Sequence, residues 1–234
     1  MWIFNDGVLQ EKILLDLGIK HFCSSKVYGN MLNKENRKIL LDKFYISNDK
    51  LVTAEQIHGN KIHIVEINNI GNCVRKTDGL ISNIKGIPLG IFTADCVPVF
   101  IVYKSYNKKL DTVIGLIHAG WRGILNSIIE KSINCLKSNY KLIKEEMKNI
   151  FIALGPHICG ECYYFGNTIG KKFGKNYNNG KVNLANEIKD RLIKIGILEQ
   201  KIFICNECTF HNHDMLFSYR RGDIKERMLS LITL

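Results

Sequence analysis

Length, composition and charge place this chain among folded globular proteins. Its 234 residues are 46% hydrophobic and 24% charged, a balance that excludes an intrinsically disordered chain. The net charge is +11, but the basic residues are scattered lysines with no arginine-rich block, so we expect no nucleic-acid partner. No segment approaches the roughly 18 consecutive apolar residues that span a bilayer, so we also expect no membrane partner.

The N-terminal segment and the cysteines bear on location and organisation. Residues 1–10 contain no basic region and no long apolar run, so we expect no signal peptide and a cytoplasmic protein. In that compartment the eight cysteines are mostly reduced, which leaves them for metal binding, catalysis or burial. No shift in composition marks a linker, so residues 1–234 are predicted to form a single domain.

Hydrophobic periodicity predicts the elements of the first half of the chain. They are a strand, a turn and a second extended piece over residues 2–28, a helix over 34–44, an alternating strand over 61–66, and two buried strands within 88–103. The helix places Ile39, Leu40 and Phe44 on its apolar stripe. A bend separates the two buried strands, because Pro98 lacks an N–H donor and disfavours helix at the preceding residue.

The most distinctive element lies at the centre of the chain. Residues 113–119 form a short β-branched strand that reaches His118, and the apolar residues after it fall at helical spacing. We therefore predict a helix that begins beside His118 and offers its N-terminal amide groups to an anion. Its apolar face consists of Ile124, Ile128, Ile129, Ile133 and Leu136. Further buried strands are predicted over residues 150–157 and 201–205.

Three residues with metal-binding side chains share one setting. His58, Cys96 and His118 each lie at the end of an apolar strand, next to a glycine or proline that opens the backbone. Two imidazoles and a thiolate suit zinc, and three protein ligands leave a fourth position for water, as in catalytic zinc sites. Zinc lowers the pKa of such a water toward 7. The same ligands would also serve copper.

Four other cysteines are spaced like zinc ligands. Cys159 and Cys162 form one CxxC pair, and Cys205 and Cys208 form another, which is the pattern of a structural zinc knuckle. The gap between the pairs is longer than in the usual zinc ribbon, and each pair adjoins a predicted buried strand. A second metal site and simple burial therefore both stay open for these cysteines.

Several stretches of the sequence together closely resemble the YfiH-like family, which is also called the multicopper polyphenol oxidase or laccase-domain family. The match runs through nearly the whole chain in order, and the HAGWRG and TADC stretches are its most specific parts. The matching stretches are residues 56–59, 78–80, 93–99, 118–123, 155–156 with Ile158 and Tyr163, and 217–221.

The resemblance implies a single α+β domain of mixed β-sheets flanked by helices, with zinc held by His58, Cys96 and His118. It also implies phosphorolysis of adenosine, inosine and methylthioadenosine, and hydrolytic deamination of adenosine, so that purine nucleosides and phosphate are the expected partners. An older description of the family, copper-dependent oxidation of polyphenols, rests on the same three ligands and is the alternative activity.

These activities require further side chains around the metal. Deamination at C6 of adenine needs a proton shuttle, for which Asp95 is the first candidate and Glu55 the second. Phosphorolysis needs an anion site, for which Arg122 and the nearby helix start are available. Structural roles stay open for both catalytic candidates, because Asp95 can brace a turn and Arg122 can bridge to the sheet.

Two further interpretations stay open. Cys96 could act as a nucleophile with His118 as its base in a metal-free hydrolase. The chain also departs from the family near Lys26, where an arginine and a Gly-Gly-Val-Ser segment are usual, and lysine does not replace arginine in bidentate recognition. This departure puts the substrate range in question and leaves a non-enzymatic binding role open. We expect a monomer or a weak homo-oligomer.

Overall fold

A computed structural model describes residues 1–106 and 111–234 of the chain. The strands in these ranges are β1 (Trp2–Asn5), β2 (Val8–Glu11), β3 (Lys20–Ser24), β4 (Val52–Ala54), β5 (Ile62–Ile64), β6 (Cys73–Val74), β7 (Gly79–Ser82), β8 (Leu89–Thr93), β9 (Val97–Tyr103), β10 (Val113–Ala119), β11 (Ile150–Leu154), β12 (Tyr177–Asn178), β13 (Lys181–Val182), β14 (Ile202–Ile204) and β15 (Met228–Thr233). The α-helices are α1 (Lys12–Asp16), α2 (Lys34–Lys43), α3 (Trp121–Leu125), α4 (Ile128–Asn139), α5 (Asn167–Gly170) and α6 (Leu184–Lys194).

The strands form two principal sheets, both of mixed direction. The first has the order β1-β2-β3-β15-β8-β4-β6 and the second has the order β14-β11-β9-β10-β7-β5, while β12 and β13 form a separate hairpin. In the second sheet β9 is antiparallel to β10 and β11, whereas β14 is parallel to β11 and β5 is parallel to β7. The prediction of an α+β fold with mixed sheets flanked by helices is therefore confirmed.

Alternating side chains along the strands explain how the layers stack. Along β9, Ile101 belongs to the buried cluster shared with α4 and α6, whereas Phe100 belongs to the cluster between the two sheets. On β15, Leu229 and Leu231 pack with Leu40 of α2 on the outer face of the first sheet. The resulting order is α2, first sheet, second sheet, then α4 and α6. Full burial of each such side chain contributes roughly 1.5–3 kcal/mol.

The apolar stripe predicted for the first long helix is partly wrong. Leu40 is fully buried as predicted, but Leu41 is buried beside it and Ile39 is 62% exposed. Successive helical residues are rotated by about 100°, so a helix that turns Leu40 and Leu41 inward must turn Ile39 toward solvent. Phe44 follows the helix and packs on Phe22 with ring centroids 5.0 Å apart.

The single helix predicted beside His118 is two helices. The five-residue α3 ends at Leu125, and Ser127 has a left-handed φ of 63° before α4 begins. At this break the Asn126 carbonyl accepts a hydrogen bond at 2.6 Å from the side chain of Asn60, which lies in the loop between β4 and β5. A helix this short has few aligned peptide dipoles, so the helix start beside His118 is a weaker anion site than predicted. The five apolar residues of the predicted face are all buried.

Two expectations about the whole chain also bear on the fold. Among residues 1–106 and 111–234, no helix is both long enough and apolar enough to cross a membrane. The prediction of one domain over residues 1–234 stays a prediction, although side chains of both sheets share one buried cluster.

Candidate metal centre and active site

His118 is held at the end of β10 by a single acidic residue. Its ring is only 3% exposed, and Nδ1 donates a hydrogen bond to Oδ1 of Asp78 at 2.8 Å. The backbone N–H of His118 also donates to the Asp78 carbonyl at 2.7 Å. Because Nδ1–H donates to the carboxylate, Nε2 is the ring nitrogen left to act as a ligand.

The same carboxylate positions the loop that carries His58. Asp78 accepts hydrogen bonds from the backbone N–H groups of Ile57, His58 and Gly59 at 3.3, 2.9 and 2.8 Å. These bonds hold a tight turn in which His58 adopts a left-handed φ of 58°. Sequence reasoning identified residues 78–80 only as part of the family pattern, so it missed the role of Asp78.

Cys96 lies in the tight connection between β8 and β9, where the preceding Asp95 has a φ of 90°. The ligand atoms of His58, Cys96 and His118 all lie within 4.8 Å of one another. Space for them depends on Gly120, because a Cβ there would lie 2.9 Å from the His58 ring and 3.1 Å from the Cys96 sulfur. The structure thus brings together the three predicted ligands, and the two imidazoles and one sulfur fit zinc or copper.

The charges of this cluster favour a metal-binding thiolate. Burial alone would raise the pKa of Cys96, but His118 and His58 outweigh it and lower that pKa to about 6. Burial alone would lower the pKa of His118, but Cys96 and Asp78 outweigh it and raise that pKa to about 9. Burial would also raise the pKa of Asp78, yet its hydrogen bonds to His118 and to backbone amides lower it. Thiolate is the form of cysteine that binds metals.

The three potential ligands line a cavity of about 560 Å³. Two other depressions in the described surface, one beside Tyr140 and one beside Tyr177, contain none of the three. The cavity combines aromatic faces, arginines and the buried hydroxyl of Thr93, whose Oγ1 has no hydrogen-bond partner among the described residues. The remaining lining residues are Leu32, Ala54, Gln56, Phe92, Ala94, Asp95, Trp121, Arg122, Tyr163, Tyr219, Arg220 and Arg227.

The predicted catalytic residues occupy different settings. Asp95 is buried in the cavity wall, and its two carboxylate oxygens accept hydrogen bonds from the Thr209 hydroxyl at 2.6 Å and the Arg220 backbone N–H at 2.8 Å. Arg122 is exposed in the cavity, with its guanidinium 5.0 Å from the Trp121 ring centroid. Glu55 is not among the lining residues and instead accepts from the Lys76 backbone N–H at 2.9 Å. The catalytic role of each residue stays a prediction.

Lys26, where the sequence departs from the family pattern, is not a lining residue of the cavity. Its ammonium donates to the His213 carbonyl at 2.9 Å and lies 3.7 Å from Asp223. Leu32, a few residues further on, does line the cavity. The segment that departs from the family pattern is therefore followed directly by a residue of the cavity wall, although Lys26 itself is not part of that wall.

The two CxxC pairs, for which a metal site and burial were both open, do not form a cluster of four cysteines. Cys159, Cys162 and Cys208 lie together, but their fourth neighbour is His211. Cys205 is buried, and its backbone N–H donates to the Leu154 carbonyl at 2.8 Å, which continues the pairing of β14 with β11. The sequence signal for His211 was a Cys-x-x-His spacing after Cys208, which the more familiar CxxC pair concealed.

These features define a Cys/His cluster that could hold a metal ion in the wall of a cavity. The sequence model of the multi-copper polyphenol oxidoreductase laccase family matches residues 31–234, so the chain belongs to this family. The family resemblance stated from the motifs is thereby confirmed.

Individual relatives and one solved structure agree with this assignment. The chain is 30% identical over 217 residues to a protein of Aquifex aeolicus (strain VF5) named purine nucleoside phosphorylase, covering 91% of this chain and 97% of the relative. It is 26% identical over 200 residues to adenosine deaminase RL5 from an unknown prokaryotic organism, covering 74% of this chain and 70% of the relative. The crystal structure of Bacillus licheniformis hypothetical protein YfiH superposes with a TM-score of 0.86 and 22% identity, covering 100% of this chain and 98% of that chain. That likeness confirms the YfiH-like fold.

Proposed function

We propose that this protein is a zinc-dependent purine nucleoside enzyme. It performs phosphorolysis of adenosine, inosine and methylthioadenosine and hydrolytic deamination of adenosine, as a cytoplasmic monomer or weak homo-oligomer. The observation that carries the proposal is the meeting of His58, Cys96 and His118 in a cavity with arginine and aromatic walls. The names of the two relatives, purine nucleoside phosphorylase and adenosine deaminase, support the same substrate class.

The donor set supports a catalytic metal more than a structural one. Three protein ligands leave a coordination position open to the cavity, whereas structural zinc sites close all four. When bound there, zinc supplies a Lewis acid that lowers the pKa of a water molecule toward 7. Asp78 contributes by accepting the Nδ1–H hydrogen bond of His118 and by bracing the turn of His58, which fixes the His118 ring and the His58 backbone before any ligand binds.

The walls of the cavity suit the two parts of a nucleoside reaction. Trp121 and Tyr219 line the cavity with aromatic rings against which a purine can stack. Arg122 offers a guanidinium with no hydrogen bond to the described residues, so it is available to phosphate. Arg220 is already engaged, since it donates to the Tyr164 carbonyl at 2.8 Å, and we assign it to the wall.

The two proposed reactions differ in the group that attacks the nucleoside. In phosphorolysis a phosphate oxygen bonds to C1′ of the ribose, the bond from C1′ to N9 breaks, and the released purine takes up a proton. In deamination water adds at C6 of adenosine and ammonia leaves, which yields inosine. Only the first reaction consumes phosphate, so the two activities can be measured separately in one sample.

The proposal is tested with untagged protein, by measuring its zinc content by mass spectrometry and its products from adenosine with and without phosphate. We expect inosine in both samples, and free purine with ribose 1-phosphate only when phosphate is present. Cys96→Ala should lose both activities together with the zinc of this centre, while Cys73→Ser, an exposed cysteine outside the cavity, should keep them. Full activity in Cys96→Ala would refute the proposal.

Two alternative activities give different results in the same samples. A copper-dependent polyphenol oxidase, which the family name favours, would contain copper and consume oxygen with phenols. A metal-free hydrolase, which the low pKa of Cys96 beside His118 favours, would be inactivated by iodoacetamide at Cys96 and unaffected by metal removal. Either outcome would replace zinc-dependent nucleoside chemistry.

The proposed proton shuttle at Asp95 needs its own test, because its carboxylate also braces the cavity wall. Asp95→Asn removes the titratable group, whereas Thr209→Val removes only the hydrogen bond to Oδ1. A shuttle predicts that Asp95→Asn loses deamination, while Thr209→Val retains it at a lower rate. Equal losses in both variants would instead assign Asp95 a positioning role.

A further inference from the structure

A second cluster of metal-binding side chains lies outside the proposed active site. It consists of Cys159, Cys162, Cys208 and His211, whose ligand atoms all lie within 4.8 Å of one another. In sequence these residues read Cys-x-x-Cys and, further on, Cys-x-x-His. Three thiols and one imidazole are a donor set of structural zinc sites, and four protein ligands close the coordination sphere.

The sheet topology explains why these distant residues meet. β11 and β14 are parallel neighbours, so their carboxyl ends lie side by side at the same edge of the second sheet. Cys159 and Cys162 follow β11, whereas Cys208 and His211 follow β14. A bridge between His157 and Cys208 extends the parallel pairing into the two loops. The parallel pairing of β11 with β14 therefore brings two potential ligands from each loop close together.

The distances within the cluster are short enough for one ion to reach all four side chains. The Cys162 sulfur lies 3.1 Å from Nε2 of His211, and the Cys159 sulfur lies 3.9 Å from Nδ1 of the same ring. Tetrahedral zinc ligands lie roughly 3.5–3.8 Å apart, so a zinc ion bound to one of the two ring nitrogens needs only small shifts of these side chains. The Cys208 sulfur also accepts a hydrogen bond from the Cys159 backbone N–H at 3.3 Å, a contact that favours a bound thiolate.

We propose that Cys159, Cys162, Cys208 and His211 bind a second, structural zinc ion. The ion joins the loops after β11 and β14, and both loops lead into the cavity wall. Tyr163, which lines the cavity, directly follows Cys162. Thr209 directly follows Cys208 and donates its hydroxyl to Asp95 at 2.6 Å. The second zinc thus fixes the part of the cavity wall that Tyr163 and Asp95 form, whatever reaction the cavity performs.

Metal content of the full-length, untagged protein tests the proposal, with zinc, iron and copper measured together. We expect two zinc ions per wild-type chain, one in Cys162→Ser and one in Cys96→Ala. Cys73→Ser, which changes an exposed cysteine outside both clusters, should keep two. His211→Gln is a second variant, because its exposed side chain can be replaced without opening the core, and it should release one zinc to a chelator much faster than wild type does.

Cobalt substitution gives a readout that does not depend on activity. The second cluster contributes three thiolates and the first only one, so we expect Cys162→Ser to lose most of the sulfur-to-cobalt charge-transfer absorption and Cys96→Ala to lose the smaller part. Wild-type protein whose only zinc disappears in Cys96→Ala would overturn the second site and leave the proposed function intact. A metal content unchanged by Cys162→Ser, a metal other than zinc, or a Cys159–Cys162 disulfide in protein purified under reducing conditions would also overturn it.

Discussion

Oδ1 of Asp78 lies 2.8 Å from Nδ1 of His118, and the same carboxylate holds the backbone N–H group of His58 at 2.9 Å. One buried acid thus orients two of the three potential ligands of the metal centre. Asp78 is not a lining residue of the cavity, so any effect it has on the reaction must act through the two histidines. This relationship separates residues that would hold the metal from the residue that positions them.

Asp78→Asn should weaken the metal centre without removing any ligand. The amide keeps Oδ1, which accepts from His118 and His58, but its NH2 group replaces Oδ2 and cannot accept from the backbone N–H groups of Ile57 and Gly59. The negative charge beside His118 is lost as well. Loss of such a partner costs about 10- to 100-fold in metal affinity, measured here by chelator competition. Glu55→Gln is the control, since Glu55 braces the same region through Lys76 and should leave the affinity unchanged. Equal affinities in Asp78→Asn and wild type would contradict the positioning role.

Gly120→Ala should damage the same centre by filling space. The added methyl group would lie 2.9 Å from the His58 ring and 3.1 Å from the Cys96 sulfur, so both must shift. Overpacking of this kind costs about 1–3 kcal/mol, which corresponds to roughly 5- to 150-fold in metal affinity. Gly166→Ala is the matched control, because a methyl group there meets nothing within 4 Å. The prediction fails if both variants bind zinc with wild-type affinity.

The three potential ligands could be selected from the sequence, because each is a His or Cys near a glycine or proline that follows or interrupts an apolar stretch. Asp78 was not, because its partners lie 19 to 40 residues away and its turn has no local signature. His211 was missed for a similar reason, since only the pairing of β11 with β14 brings it to Cys162. Local pattern predicted which side chains end strands, and tertiary topology decided which of them meet.

In the helices, the sequence predicted one buried face correctly but missed one exposed residue and one helix break. The face of α4 was predicted correctly because its apolar residues repeat at helical spacing over several turns. The exposure of Ile39 and the break at Ser127 were not predicted, because each depends on what the helix packs against. The apolar residues of both helices fit more than one helical face. The neighbouring sheet decides which face of α2 is buried, and the break at Ser127 lies where the loop of Asn60 contacts the chain.

Arg122→Ala should separate the two proposed activities. The guanidinium contacts Trp121 and is otherwise free among the described residues, so its loss should chiefly affect phosphate. Hydrogen bonds to a charged group contribute about 1.5–3 kcal/mol, so the KM for phosphate should rise roughly 10- to 100-fold. Deamination of adenosine, which uses no phosphate, should change far less.

The control for Arg122 is Arg75→Ala, which removes an exposed arginine outside the cavity and should alter neither activity. Steady-state rates at varied phosphate and at varied adenosine measure the two effects. If Arg122→Ala slows deamination as strongly as phosphorolysis, Arg122 contacts the nucleoside or supports the wall, and another group must bind phosphate.

His21 should make the stability of the fold depend on pH. Its ring is buried, Nε2 accepts a hydrogen bond from the Glu11 backbone N–H at 2.8 Å, and the Phe100 ring lies at a centroid distance of 5.7 Å. Burial lowers the pKa of His21 from 6.5 to about 4, and the hydrogen bond to the Ile19 carbonyl offsets only part of that effect. Below pH 6.5 the unfolded chain therefore takes up a proton that the folded chain resists until about pH 4.

The stabilisation from neutral His21 is fully present above pH 6.5 and is lost as the pH falls to about 4. Each pKa unit corresponds to about 1.4 kcal/mol, so the loss should reach about 3 kcal/mol. Urea unfolding at several pH values measures it, with His21→Gln as the comparison, since glutamine keeps an acceptor for Glu11 and does not titrate. Contributions from the rest of the chain are common to both proteins and cancel in the difference. Parallel pH profiles for wild type and His21→Gln would show that His21 is protonated in the folded chain at no such cost.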